Sequence, residues 1–318
     1  MRTGILVAAA AIAACPMFGQ QPAGDLDVLH VQGNVWLIAG AGGNITVDIG
    51  DMGVVVVDTG LAQNADKVVA AIRKLTDKPI QYIMNTHMHA DHMGGNIVVR
   101  KAGVTITGAN VTGDINDATQ GAAILAHNNV LNRVSAPSGK QPAMQPDAWP
   151  TDTYVSGQKE IYFNEEPIIM LHEPNAHTDG DSFVFFRRSD VVATGDIFVT
   201  TSYPYIDLEN GGSIQGEIDA LNNLLDIVVP KHEEEGGTYV IPGHGRVCDE
   251  YDVLEYRDMV TIIRDRVQNA IKKGMTLEQV RAAGYTKDYD SRWSAKSGFG
   301  TADNFITAVF KSLITPKK

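Results

Sequence analysis

Six consecutive residues, His87-Met88-His89-Ala90-Asp91-His92, hold three histidines and a carboxylate, and they follow directly on the apolar run 80–84. The whole chain of 318 residues has nine histidines. Such density constrains the fold, because one strand end must carry four metal-type donors into a common space. On a continuing strand, His87, His89 and Asp91 would share a face. On a tight loop at the strand end, neighbouring side chains can diverge toward two ions. Neutral imidazole and carboxylate are the ligands that catalytic zinc takes. The plainer alternative is a polar loop whose histidines hydrogen-bond locally. The rest of the chain argues against it by supplying the missing donors.

Those donors recur at the ends of later apolar runs. Residues 168–171 lead through Pro174-Asn175-Ala176 to His177-Thr178-Asp179-Gly180-Asp181. Residues 190–194 lead to Gly195-Asp196, and 239–241 lead to Pro242-Gly243-His244-Gly245. Each time a short, buried-looking strand stops and a Gly- or Pro-bearing turn delivers a His or an Asp. Loops at strand ends are where a rigid scaffold places catalytic groups.

Taken in order, His-x-His-x-Asp-His, His-Thr-x-Gly, Thr-Gly-Asp and Pro-Gly-His-Gly resemble the motifs of the metallo-β-lactamase superfamily, over residues 28–250. The resemblance implies an α/β fold, a four-layer αββα sandwich with a two-metal site at one edge between its sheets, here with a C-terminal helical extension. Carried over residue by residue, it implies His87, His89 and His177 on a first zinc, and Asp91, His92 and His244 on a second. Asp196 would bridge both, and Asp91 would also hold and orient the attacking water. This set is similar to that of the glyoxalase II and lactonase branches. The best-known secreted β-lactamases of the fold carry Cys, or a non-ligand such as Ser, where this chain has Asp196. Cys248 lies past the His244 motif and does not fill that place. Asp58, at the end of the valine run 54–57, resembles the family's outer aspartate, which fixes the tautomer of a ligating histidine. A turn or N-cap aspartate is its other reading.

Composition narrows the partners. Lys+Arg 26 against Asp+Glu 38 leaves a net charge of −12, and such a surface repels phosphate backbones. A small-molecule substrate is expected, and no nucleic acid. With 44% apolar and 20% charged residues, the chain suits an ordinary globular enzyme. Arg2 followed by the uninterrupted apolar run 5–14 reads as an export signal within residues 1–24, too short to span a bilayer. No other run reaches transmembrane length. Cleavage near 19–24 would leave a periplasmic or secreted domain, 25–318. Alternatively, Ile12-Ala13-Ala14-Cys15 resembles a lipobox that would acylate Cys15. Without the leader, Cys248 has no intrachain partner, so no internal disulfide is expected.

Along the chain, 28–38 and 44–49 read as strands around Gly40-Ala41-Gly42-Gly43. This turn is either a plain hairpin or, by the resemblance, a mobile flap over the substrate. The valines of 54–57 leave no polar face, so both sides should be covered. Val68, Ala71, Ile72 and Leu75 have the spacing of an amphipathic helix, which makes 53–84 a βαβ unit. Residues 190–194, 213–227 and 239–241 make a second, faintly echoing the first. A helix is expected over 110–134, then a proline-marked loop, 135–150, placed to cap the site. His127 reads as packed or solvent-facing, and His30, His172 and His232 as ordinary polar positions. Tyr203 and Tyr205 follow Asp196 closely and could either donate to a substrate carbonyl or plug against the sheet. The charge run 231–235 reads as a solvated helix end. Helices are expected over 251–273, 277–283 and 302–313, forming a tail (251–318) with Tyr285, Trp293 and Phe299 to bury.

These readings converge on an exported binuclear zinc hydrolase. Two zinc ions sharing a water lower its pKa to ~7 and polarise a carbonyl. Export argues against an intracellular thioester, so a cyclic amide or ester is expected, with a β-lactam first. A glyoxalase II-type thioesterase or a lactonase is the alternative. From another class, a mononuclear iron enzyme resembling persulfide dioxygenases stays open. A degenerate, non-catalytic binding protein is disfavoured because all seven donor positions are filled. The sequence does not give the oligomeric state.

Overall fold

The valine strand Gly53–Val57 shows why the chain forms layers. With no polar face it has to be covered twice, and in the computed structural model it is. Val54 and Val56 pack with Val68 and Ile72, whereas Val55 and Val57 pack with Ile168, Met170 and Val184. Alternation across the pleat splits the four valines between two cores. Fully burying each contributes about 1.5–3 kcal/mol. The structure describes residues 25–105, 121–137, 142–232 and 236–315.

Twelve strands form two sheets among the described residues. The first has seven, in sequence order: β1 (Asp27–Gln32), β2 (Val35–Ala39), β3 (Ile45–Gly50), β4 (Gly53–Val57), β5 (Ile80–Met84), β6 (Ala123–His127) and β7 (Asp152–Tyr154). It is antiparallel through β4 and parallel from β4 to β7. The second has five: β8 (Gln158–Phe163), β9 (Glu166–His172), β10 (Ser182–Phe186), β11 (Val191–Ala193) and β12 (Tyr239–Ile241). It is antiparallel except where β11 meets β12.

The helices are α1 (Ala65–Leu75), α2 (Ala90–Met93), α3 (Asn96–Lys101), α4 (Asn128–Val134), α5 (Ile214–Ile227), α6 (Glu250–Lys272), α7 (Leu277–Ala283), α8 (Asp290–Trp293) and α9 (Ala302–Ile314). Three apolar clusters correspond to three interfaces between four layers. One joins α1 and α3 to the outer face of the first sheet. The second lies between the sheets. The third joins the second sheet to α5, α6 and α9. The expected αββα sandwich with a helical C-terminal region is therefore present, and both βαβ units (β4-α1-β5 and β11-α5-β12) have parallel strands.

Several expectations need correction. The span 28–38 is not one strand; it breaks at Gly33, whose positive φ of 56° turns β1 into β2. The span 110–134 is not one helix. Its described part holds β6, which lies between β5 and β7, before α4 starts. The run Ala123-Ile124-Leu125-Ala126 is a central parallel strand with its side chains inside, where tertiary burial overrides the helical propensity of Ala and Leu. Lys231 and His232 follow the end of α5 in non-helical backbone. The described residues of 135–150 pack against the metal-type loop through Met88 and Met93, with Met144 and Trp149 against them. The leader and Cys15, residues 110–120 of the expected helix, and 138–141 and 233–235 lie outside the described residues. Cys248 is a free, buried thiol, pushed up to about 12 by burial and by Asp252. No described helix is long and apolar enough to cross a membrane.

At one end of the sandwich a polar seam joins the sheets. The β8–β9 hairpin turns through Asn164 and Glu165, both at positive φ, as a two-residue hairpin with the sheet's twist requires. Asn164 Nδ2 donates to Asp48 Oδ2 at 2.6 Å and to the Gly53 carbonyl at 3.0 Å. Burial pushes the Asp48 carboxyl up to about 7, against the Asn164 hydrogen bond and with help from nearby Glu166. A carboxyl whose folded pKa exceeds its unfolded value keeps its full stabilising contribution below the unfolded value. It loses that contribution as pH rises through the folded one. For Asp48 the window runs from 3.8 to about 7. We therefore expect Asp48→Asn to gain stability over the parent as pH rises from 4 to 8, by on the order of 4 kcal/mol. Urea unfolding at both pH values measures it; a difference that does not change with pH would refute the assignment.

Candidate metal centre

At the other end of the sandwich, loops from both sheets converge at the carboxyl ends of the parallel strands. β5 runs into Asn85 and the histidine-rich loop, which continues as α2. β9 and β10 flank the turn that carries His177. β11 leads to Asp196, and β12 to His244. Backbone bonds knit the loops together. Ser182 N donates to Thr86 O at 2.9 Å, Gly243 N to Gly195 O at 2.8 Å, and Asn44 N to Gly243 O at 2.7 Å. The glycine-rich turn expected as hairpin or flap is a hairpin turn seated in this assembly. Gly43 N donates to Asp91 O at 2.9 Å, and a Cβ at Gly43 would meet the His92 ring at 2.4 Å. Only glycine lets that backbone lie so close.

All seven expected donors come together, in two sets. His87, His89, His177 and Asp196 form one; Asp91, His92, Asp196 and His244 form the other, with the ligand-type atoms of each within 4.8 Å of one another. Asp196 belongs to both. Its Oδ1 lies 3.0 Å from His92 Nε2 and 3.4 Å from His244 Nε2, while its Oδ2 lies 3.9 Å from His177 Nε2. His244 Nε2 also lies 3.2 Å from Asp91 Oδ2. Its side chain is 31% exposed, whereas those of His92 and His177 are fully buried, so the centre opens on the His244 side.

Hydrogen bonds at the outer nitrogens aim the inner ones. Asp58 Oδ2 accepts from His92 Nδ1 at 2.7 Å and from the Thr86 hydroxyl at 2.7 Å. That hydroxyl has spent its proton on Asp58, so it accepts from His87 Nδ1 at 3.0 Å. Asp207 Oδ2 accepts from His89 Nε2 at 2.9 Å, and the Tyr205 carbonyl accepts from His177 Nδ1. Each ring thus turns its other nitrogen inward. His89 Nδ1 and His177 Nε2 face each other at 2.9 Å. His87 Nε2 is buried without a hydrogen-bond partner. Inward nitrogens, an orphaned buried atom and a shared carboxylate are the donor chemistry of a divalent cation.

Charge tells the same story. Burial, then the neighbouring imidazoles of His92 and His177, drives the His87 ring well below its ordinary value. Burial and His89 bring His177 down to about 4. These rings are neutral and ready to ligate. In the second set burial opposes charge, but carboxylates outweigh it. Asp196, Asp91 and Asp58 hold His92 well above its ordinary value, and Asp196 and Asp91 lift His244 to about 9. Burial opposes the ionised form of Asp196 too, yet His92 and His244 hold it well below the carboxylate range. The pocket favours positive charge beside Asp91 and Asp196.

Asp58 stands where expected, under His92 and Thr86. Its φ of 61° bends the chain sharply at the end of β4. Tyr205 borders the centre, its ring centroid 5.8 Å from that of His89 and 5.5 Å from that of His177. Tyr203 is not a substrate residue. It is fully buried, stacks on Phe305 at 5.1 Å, and donates its hydroxyl toward Asp290 and Thr286. His127 is buried, stacked on His172 at 3.5 Å, and caps α4. Two contributors were not read from the sequence. Asp207 aims His89, and Asp181 ties down the backbone after His177 by accepting from Thr178 N and the Thr178 hydroxyl. Asp207 lies 118 residues from His89 outside any motif. Asp181 had a local signal, a Thr-x-x-Asp spacing that builds a side-chain-to-backbone turn.

A family model described as the metallo-beta-lactamase superfamily matches residues 29–244. The chain is 22% identical over 285 residues to a linear primary-alkylsulfatase of Pseudomonas sp. (strain ATCC 19151), covering 74% of this chain and 50% of that protein. It is 22% identical over 310 residues to an (R)-specific secondary-alkylsulfatase of Pseudomonas sp, covering 84% and 45%. It spans about half the length of these curated relatives. Among solved structures, the stereoselective inverting sec-alkylsulfatase Pisa1 from Pseudomonas sp. superposes with a TM-score of 0.67 at 16% identity, over 91% of this chain and 50% of that one. The DIM-1 metallo-beta-lactamase gives 0.55 at 18%, over 75% and 98%. At these identities the structures attest the fold.

Removing an outer hydrogen-bond partner of a ligating histidine costs roughly 10–100-fold in metal affinity. We expect Asp207→Ala and Asp58→Ala each to weaken zinc binding by that factor while the far-ultraviolet circular dichroism stays the same. Competition with a chelating indicator measures it, and parental affinity in both variants would refute the aiming role.

Proposed function

Because the chain belongs to the metallo-beta-lactamase superfamily, we propose that it is a metal-dependent hydrolase that holds two divalent ions, zinc in our reading, and cleaves a cyclic amide or ester. The observation that carries this is Asp196, whose two carboxylate oxygens face different donor sets. His87, His89 and His177 would hold one ion; Asp91, His92 and His244 would hold the other. Ions there supply Lewis acidity, lowering the pKa of bound water to ~7 and polarising a carbonyl oxygen.

The protein's part is orientation and proton handling. Asp91 has an inward oxygen beside His244. Burial opposes its charge, but His92 and His244 keep its carboxyl below the ordinary range, so Asp91 stays an acceptor for the proton of an attacking water. Asp58, Thr86 and Asp207 keep the rings in one tautomer, so no reorganisation precedes attack. The buried side of the cluster excludes bulk water, and the open side at His244 admits the substrate. Asp196 supplies a carboxylate where a thiolate would be softer, which suits a symmetric pair of ions.

Among substrates we place a β-lactam first within the cyclic amides and esters, with a lactone or glutathione thioester next. A second reading, a sulfate ester, is favoured by the two curated alkylsulfatases to which the chain is similar. A mononuclear iron oxidoreductase would use only one of the two donor sets. Metal analysis separates these classes: two zinc per chain supports hydrolysis, one iron with oxygen uptake supports oxidation. A panel of a chromogenic cephalosporin, an acyl lactone, a glutathione thioester and a medium-chain alkyl sulfate then assigns the substrate. We expect chelation to abolish turnover and zinc to restore it. Asp196→Ala should retain at most one zinc and lose more activity than the roughly 10–100-fold that an outer partner costs. Two metals with full activity in that variant would sink the bridging role.

A further inference from the structure

The row of rings that starts at the metal centre does not stop at Tyr205. On its other side lies Phe299, with ring centroids 4.4 Å apart and planes inclined by 33°. Phe299 is 46% exposed. It belongs to the loop between α8 and α9, beyond the residues 29–244 matched by the family model. Its position is fixed. Ala295 N donates to Gly300 O at 3.1 Å, and Asn304 Nδ2 to Gly298 O at 2.7 Å. The facing segment is pinned to the same tail: Tyr203 N donates to Trp293 O at 2.6 Å, and Gly300 lies against Ser202. The tail thus carries an aromatic ring to the rim of the cluster and holds it there.

We propose that Tyr205 and Phe299 form a specificity surface that binds an uncharged, apolar group of the substrate beside the metal centre. This rests on the hydrolase reading above. Phe299 offers exposed apolar area, and through the half-buried ring of Tyr205 it continues the row that ends at His89 and His177. Asp207 and Glu209 are the charged side chains that bear on Tyr205, so the wall itself supplies no cation for an anionic substituent. The preferred substrates therefore carry an aliphatic or aromatic tail of several carbons on the side of the reacting group that points to Tyr205.

Alkyl hydroxamates test this without turnover. The zinc-loaded full chain and its Phe299→Ala and Phe299→Leu variants are titrated calorimetrically with acetohydroxamate and decanohydroxamate. We expect the parent to bind the long chain at least about tenfold more tightly than the short, as burial of only a few methylenes would give. Phe299→Ala should reduce that ratio about tenfold, and Phe299→Leu, which keeps an apolar wall, should retain most of it. A ratio near one in the parent, or the same ratio in Phe299→Ala, overturns the proposal. Failure to hydrolyse any ester, amide or sulfate, with the chain-length ratio intact, would instead overturn the hydrolase reading and leave the surface standing.

Discussion

The centre depends on the hydrogen bonds made by nitrogens that face away from it. Four imidazoles from two loops turn their other nitrogens inward because Asp58, Thr86, Asp207 and the Tyr205 carbonyl hold the nitrogens on their far sides. These acceptors come from different elements, so the geometry exists only in the assembled sandwich. Asp58 does double duty, since one of its oxygens accepts from His92 and from Thr86, and Thr86 in turn serves His87. Buried imidazoles without such anchors could flip between tautomers, each flip turning an acceptor inward or outward.

Much of this was legible in the chain, for reasons particular residues make clear. The valine run 54–57 has no polar face and reads as a doubly covered strand, and the four donor motifs follow other short apolar runs. The order of those motifs carries the family resemblance, and it is the resemblance that implies the layer order, the seven donors and the outer role of Asp58. What failed was set by distance or by ambiguity. β6 is a short run of Ala, Ile and Leu, which fits a buried helix as well as a strand. β8, Gln158–Phe163, pairs only with β9 and lies at the edge of its sheet, where polar residues on an exposed face weaken the pattern. Asp207 reaches His89 through folding alone. Tyr203 sat as close to Asp196 in sequence as Tyr205, yet two residues' difference turns one ring into the helical tail and leaves the other beside the histidines.

The tail changes the reading of the fold as an instrument. Helices α5, α6 and α9 do more than cover the second sheet. Through Trp293 of α8, Phe305 of α9 and the loop between them at Phe299, the tail grips the 200–207 segment, which itself supplies Asp207 and the Tyr205 carbonyl to the centre. The same segment thus connects aiming of the rings on one side to apolar surface on the other. Change in the tail can reach the metal-type cluster through covalent continuity over a few residues, without crossing the sheets.

The polar seam of Asp48 and Asn164 has a mechanical consequence. The two sheets are fastened at both rims: there by the Asn164 amide and by Gln32 and Asn34 to Ser189, and at the far rim by Ser182 to Thr86 and Asn44 to Pro242, Gly243 and Gly245. Neither hinge opening nor shear of one sheet over the other is available without breaking one set of these bonds. Movement that keeps both sets intact is confined to loops and side chains, which makes the sandwich a rigid frame with an adjustable lip.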